Sequence, residues 1–260
     1  MMRRGWRGFV RALLSALAVG CGEPAAPDIP DLTDGALLVF GVLVADSSRQ
    51  VIVVEQTDGL PITRLDAVLF EVGPDGSESA VAVATPVEGQ GTGYAMLFEA
   101  EVRPGRRYRV TVTAPGRPSA SAATTVPGDF AIETLDAAGD PPGSAGLEAR
   151  WSASANAYRY IVNVRAEPDC VTNAPVCEGF GLPWAGVTAE PKIDTVIPPT
   201  AIPADRTRGV EVAVYAVNRE LFEYFTTGVG GPFTVQPKQN IQGGYGVLGA
   251  WTRRARTIAR

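Results

Sequence analysis

The chain lacks histidine altogether and carries only three cysteines and two lysines, Lys192 and Lys238, in 260 residues. Without His, Ser-His-Asp and Cys-His triads are excluded, and so is the usual zinc chemistry. No S-x-x-K motif and no EF-hand pattern occurs. No apolar run reaches the roughly 20 residues that a membrane-spanning helix needs. Helix-length periodic segments are scarce, whereas Val, Thr, Ala, Gly and Pro abound, which predicts an all-β protein. Basic charge is also short: 23 Lys and Arg stand against 28 Asp and Glu. That balance argues against a nucleic-acid partner.

What the chain does have begins at its N-terminus. Arg3, Arg4, Arg7 and Arg11 form a positive region, and Ala12 to Gly20 (ALLSALAVG) is a short apolar stretch ending in small residues, the layout of a secretory signal. Leu17, Ala18, Val19, Gly20 and Cys21 resemble the lipobox of bacterial lipoproteins, in which the cysteine thiol is alkylated by diacylglycerol before cleavage on its N-terminal side. Ala18 stands where that motif commonly has Leu. The alternative is an ordinary signal peptide with an incidental cysteine near the cut. On the lipoprotein reading residues 1–20 are removed, and the chain from Cys21 onward keeps 19 basic against 28 acidic residues, a net charge of −9.

The cysteine count fits this arrangement. Cys170 and Cys177, in CVTNAPVC, are close enough for a loop-closing disulfide in an oxidising compartment. In the chain-entropy model, closing a loop of that size stabilises by roughly 2.5 kcal/mol. Cys21 is left over, and lipidation gives it a use. A metal site for the pair is the alternative, and the absence of His weakens it.

Residues 21–35 are rich in Pro and Asp without periodicity, which predicts a solvated, disordered tether. Strand-like runs follow at 36–45, 50–56, 65–72, 79–85, 93–102, 107–114 and 119–126, enough for a β-sandwich over 36–127. In RYRVTVT, Tyr108, Val110 and Val112 share one face. Residues 136–145 read as a flexible loop. GLEARW, AYRYIVNVRA and GVEVAVYAVN then read as strands of a fibronectin-type-III-like domain over 128–260, with Trp151, Tyr158, Tyr160, Val162 and Val164 expected in its core. Residues 166–208 read as a long insertion at one end. Asn218 is a candidate cap for a short helix whose Leu221, Phe222 and Phe225 should pack on the second domain. The expected architecture is therefore all-β: two immunoglobulin/fibronectin-like β-sandwich domains in tandem, with one short helix near the C-terminus.

The run Val214–Trp251, VYAVNRELFEYFTTGVGGPFTVQPKQNIQGGYGVLGAW, resembles the C-terminal signature of the bacterial lipoproteins grouped as domain of unknown function 4249. Asn240, Ile241, Gly243, Gly244, Gly246, Gly249 and Ala250 match its N-I-x-G-G-x-G tail, and Leu248 replaces an aromatic. The lipobox, the PGRRYRV strand and the TTVP junction at 124–127 agree with that family in outline. The resemblance implies an exported envelope lipoprotein, encoded often beside outer-membrane TonB-dependent receptors. It supplies no catalytic residues.

Gly244, Gly246 and Gly249 spell G-x-G-x-x-G, but no βαβ unit can follow so close to the C-terminus, so a tight turn with close backbone packing is expected instead of dinucleotide binding. Asp31, Asp34, Asp46, Asp75 and Asp140 fall in expected loops, where solvated turns are the simple explanation and calcium the alternative. Arg253, Arg254, Arg256 and Arg260 read as a frayed solvated end, with anionic headgroups as the alternative partner. No cofactor, metal or catalytic residue is expected. The favoured function is a non-enzymatic, lipid-anchored accessory of an outer-membrane receptor. A glycan- or peptide-binding protein using Trp184, Tyr245 or Trp251, and a hydrolase using two carboxylates, are the alternatives. Gly22 after Cys21, in place of an inner-membrane retention Asp, points to the outer membrane.

Overall fold

The computed structural model describes residues 35–58, 62, 64–87, 93–168, 184–198, 207–228 and 238–259. Cys21, Cys170 and Cys177, the expected signal peptide, Asp31, Asp34 and Arg260 lie outside them. The protein is mostly β. Eight strands form in the first half: β1 (Leu37–Val44), β2 (Gln50–Gln56), β3 (Asp66–Val72), β4 (Glu78–Val83), β5 (Thr85–Val87), β6 (Tyr94–Phe98), β7 (Arg107–Thr113) and β8 (Ala120–Thr125). The second half supplies β9 (Ile132–Ala138), β10 (Gly146–Trp151), β11 (Arg159–Pro168), β12 (Trp184–Thr188), β13 (Lys192–Thr195), β14 (Thr207–Val217), the helix α1 (Arg219–Gly228) and β15 (Gly244–Ala259).

Strict alternation makes the first core. In β7, Tyr108, Val110 and Val112 are buried while Arg107 and Thr113 are exposed, as a half-buried strand requires. The four-stranded sheet β4-β3-β7-β8 packs this face against β1, β2 and β6, around Leu37, Leu43, Ile52, Leu69, Met96 and Phe98. A second core gathers Leu147, Trp151, Tyr160, Val162, Val164, Val212 and Val214 between the three-stranded sheet β13-β10-β9 and strands β11 and β14. Tyr158, expected there, precedes β11 and lies outside that cluster. Each core closes on a tyrosine in the same way. The Tyr108 hydroxyl accepts the Arg103 amide at 3.0 Å, and the Tyr160 hydroxyl accepts the Ser154 amide at 2.9 Å.

One continuous sheet joins the two cores, in the order β12-β11-β14-β15-β1-β2-β6-β5. Strand β15 makes the join. Its residues 244–251 run parallel to β1, and its residues 251–259 run antiparallel to β14. At about 3.3 Å per residue, its 16 residues extend for about 50 Å. The C-terminal arginine segment is therefore a strand and not a frayed end. Glu211 accepts Arg253 at 2.9 Å, and Arg254 binds Asp46 at 2.9 Å and also Asp129. Two further differences come from long-range pairing. The expected loop at 136–145 begins with the end of β9, held by β10. Within the expected insertion, β12 extends the large sheet beside β11 and β13 pairs with β10.

Candidate functional site

The glycine-rich tail is a seam. Asn218 is 3% exposed and follows β14 directly. Its Oδ1 accepts the Leu221 amide at 3.3 Å, capping α1, and also the Ala250 amide at 3.1 Å; its Nδ2 donates to the Thr124 hydroxyl at 2.5 Å. One side chain thus fastens β8, β15 and the helix. Asn240 imitates a strand partner: its Nδ2 donates to the Leu248 carbonyl at 2.8 Å and its Oδ1 accepts the Leu248 amide at 2.9 Å. Gly246 sits at φ +109, where a Cβ would stand 2.1 Å from the Val39 carbonyl oxygen, and a Cβ on Gly249 would stand 2.4 Å from Leu221. Those contacts explain the spacing of the motif. The glycines let β1 and α1 approach, and no phosphate-cradling turn is built.

Helix α1 lies across the outer face of the large sheet and divides it. Leu221 packs on Gly249, the Tyr224 ring meets Phe40 at 5.6 Å, and Phe222 meets Tyr158 at 5.7 Å. Leu221 and Phe222 pack on the second half as expected, against Gly249 and Tyr158, whereas Phe225 does not. Tyr224 also reaches across to Phe40 in β1, and Phe225 is 52% exposed.

On the β14–β11 side of the helix, the outward residues include several arginines and aromatics. The Arg159 guanidinium stacks 4.3 Å from the centre of the Tyr158 ring, and Arg219 stands 5.4 Å from the same ring. The Trp251 and Tyr215 rings meet edge to face at 5.7 Å, with Arg253 over Tyr215 at 5.8 Å. Glu211 accepts both Arg165 and Arg253 at 2.9 Å. The pairing register sets these side chains in rows: Arg159, Val217 and Trp251 in one, Ile161, Tyr215 and Arg253 in the next. Tyr158, Arg159, Tyr215, Phe222 and Trp251 are all half-buried.

The other expected residues do not converge. Trp184 flanks the second core, Tyr245 lies beside Leu38 in the first half of β15, and Trp251 closes the register with β1. All three rings are half-buried. Asp75 is held in a turn by Ser77, whose hydroxyl and amide keep its carboxyl below the ordinary value. Glu223 is likewise lowered, first by Lys238 and then by Arg219. Glu99 and Glu101 line a shallow depression with Ser48 and Arg49. No cluster of three metal-ligating acids or thiols occurs among the described residues.

Sequence reasoning missed the outward face as a surface. One signal was available: LLVFGVLV in β1 and VIVV in β2 are unbroken apolar runs, the pattern of strands that meet apolar surroundings on both faces.

Comparison with known proteins gives one strong match. The family model described as a domain of unknown function, DUF4249, matches residues 22–257. Among the curated proteins nothing matches. Among solved structures, trypsin-activated alpha-2-macroglobulin from Escherichia coli is similar at 10% identity and TM-score 0.26, covering 91% of this chain and 16% of that one. A mutant alpha-2-macroglobulin from Salmonella is similar at 13% identity and TM-score 0.29, covering 90% of this chain and 15% of that one. The chain thus spans less than a fifth of either structure.

Proposed function

The chain belongs to the DUF4249 family, and on that premise we propose that it is a lipid-anchored, non-enzymatic protein of the cell envelope that binds a protein partner at the outer membrane. The observation that carries this reading is the arginine and aromatic face beside α1. Tyr, Trp and Arg are the residues that dominate binding energy at protein interfaces. Here Tyr158, Arg159, Arg219, Tyr215, Trp251 and Arg253 share one side of a rigid sheet. A receptor of the TonB-dependent type is the partner we favour, on the family's habit of occurring beside such receptors. Lipid on Cys21 is the anchor in this reading, and a Cys170–Cys177 disulfide pins the segment between β11 and β12. We read the two cores as immunoglobulin/fibronectin-like sandwiches, divided near residue 127. The paired Tyr108 and Tyr160 hydroxyl bonds favour this, since such sandwiches use a tyrosine hydroxyl bonded to upstream backbone in the same way.

Crosslinking in intact cells, followed by mass spectrometry, tests the proposal. Arg159→Glu and Trp251→Ala should each lose the crosslinked envelope protein while the anchored chain stays folded. Recovery of the same partner with both variants would overturn it. A glycan-binding reading keeps one supporting observation, the half-buried state of Trp184, Tyr245 and Trp251.

A further inference from the structure

On the other side of α1 the same sheet turns a different face outward. Antiparallel register aligns Phe40, Val53, Ala95 and Val87 in one row across β1, β2, β6 and β5, and Val42, Val51, Leu97 and Thr85 in the next. These two rows contain no charged side chain, and Thr85 is their only polar one. Val51 is 48% exposed and Val87 45%. Phe225, beside Tyr224, adds an exposed ring at the helix border. The nearest outward charge on β2 is Glu55, paired with Leu38 one row further along.

We propose that this aliphatic face rests on a lipid surface. The inference deepens the anchored reading and rests on it. Two observations favour lipid as the occupant. First, protein interfaces carry about one hydrogen bond per 100–200 Å², and these rows offer almost nothing to bond, unlike the arginine face across the helix. Second, the chain outside the described residues leads from Gly35 back to Cys21. Fourteen residues span at most about 45 Å. Gly35 itself is fixed to the first half, its carbonyl accepting Arg117 at 2.7 Å, and it stands two residues before the start of β1 at Leu37. A lipid on Cys21 therefore holds β1 within reach of the bilayer at all times. The lipid thus delivers this face to the bilayer, and the apolar contact itself is what orders the protein there.

The test uses the full chain from Cys21 onward with Cys21→Ser, so that no lipid assists, and flotation with vesicles of phosphatidylcholine and phosphatidylethanolamine. The protein should float with the vesicles, largely independent of salt. Val51→Asp and Val53→Asp, both at exposed positions, should each cut the bound fraction at least tenfold without altering the melting curve. Failure of the Cys21→Ser chain to float, or flotation indifferent to both substitutions, overturns the proposal. Loss of a crosslinked envelope protein in the Asp variants, with no flotation, would assign the face to a protein instead. An unmodified Cys21 in the mass spectrum of the native protein would defeat the anchoring reading separately and leave the vesicle result standing.

Discussion

Asn218→Ala should be among the most damaging single substitutions of a polar side chain in this protein. It removes the cap of α1, which costs about 1 kcal/mol at a typical N-cap. It also strips the Ala250 amide of its acceptor in a site that is 3% exposed at Asn218, and an orphaned buried donor costs about 1–3 kcal/mol. Thr124, 2% exposed, loses its amide donor as well. Together the loss is about 3 kcal/mol. In a protein of this size about 1 kcal/mol moves Tm by about 2–4 °C, so the variant should melt about 6–12 °C below the parent. Asn218→Asp keeps both acceptor bonds and should fall between the two. Tryptophan fluorescence is the suitable readout, because Trp251 is the next residue after Ala250 on β15 and Trp151 reports from the second core. Since β15 is shared by both halves, the two signals should change together. A Tm within about 2 °C of the parent would refute the claim that this side chain fastens the seam, given the cost expected of an orphaned amide.

Gly246→Ala should part β15 from β1, because the added methyl meets the Val39 carbonyl; loss of soluble folded protein is expected, and near-parental melting would contradict the close approach. Tyr108→Phe and Tyr160→Phe each remove the acceptor of a backbone amide and should each cost about 1 kcal/mol, measured by denaturant unfolding. The Glu223 carboxyl lies below its usual 4.5, held first by Lys238 and then by Arg219. Its contribution is therefore present above the unfolded value and lost as pH falls through the folded one. Glu223→Gln should flatten the acid limb of the melting profile, and an unchanged acid limb would count against the pairing.

The strand runs of the first half were legible because each buries one face: β2, β3, β7 and β8 fall within or within one residue of the segments expected from alternation. Family membership was legible too, from Asn240, Ile241 and the glycines at 243, 244, 246 and 249, and the match to residues 22–257 shows it. The meaning of that tail was not legible. TRRARTIA hides its period behind arginines whose partners, Asp46, Asp129 and Glu211, lie far away in sequence. The short strands β12 and β13 were obscured similarly, since each has a partner strand on one side only and a half-exposed pattern.

The sequence by itself determined the β class, the alternation that makes each core, the absence of histidine chemistry and the family. These are local or compositional properties. Only the tertiary structure decided that β15 passes from one core to the other, that Asn218 ties it there, and that α1 separates an aliphatic face from an arginine and aromatic one. Those features depend on which distant segments meet, and no local pattern of polar and apolar residues encodes that choice.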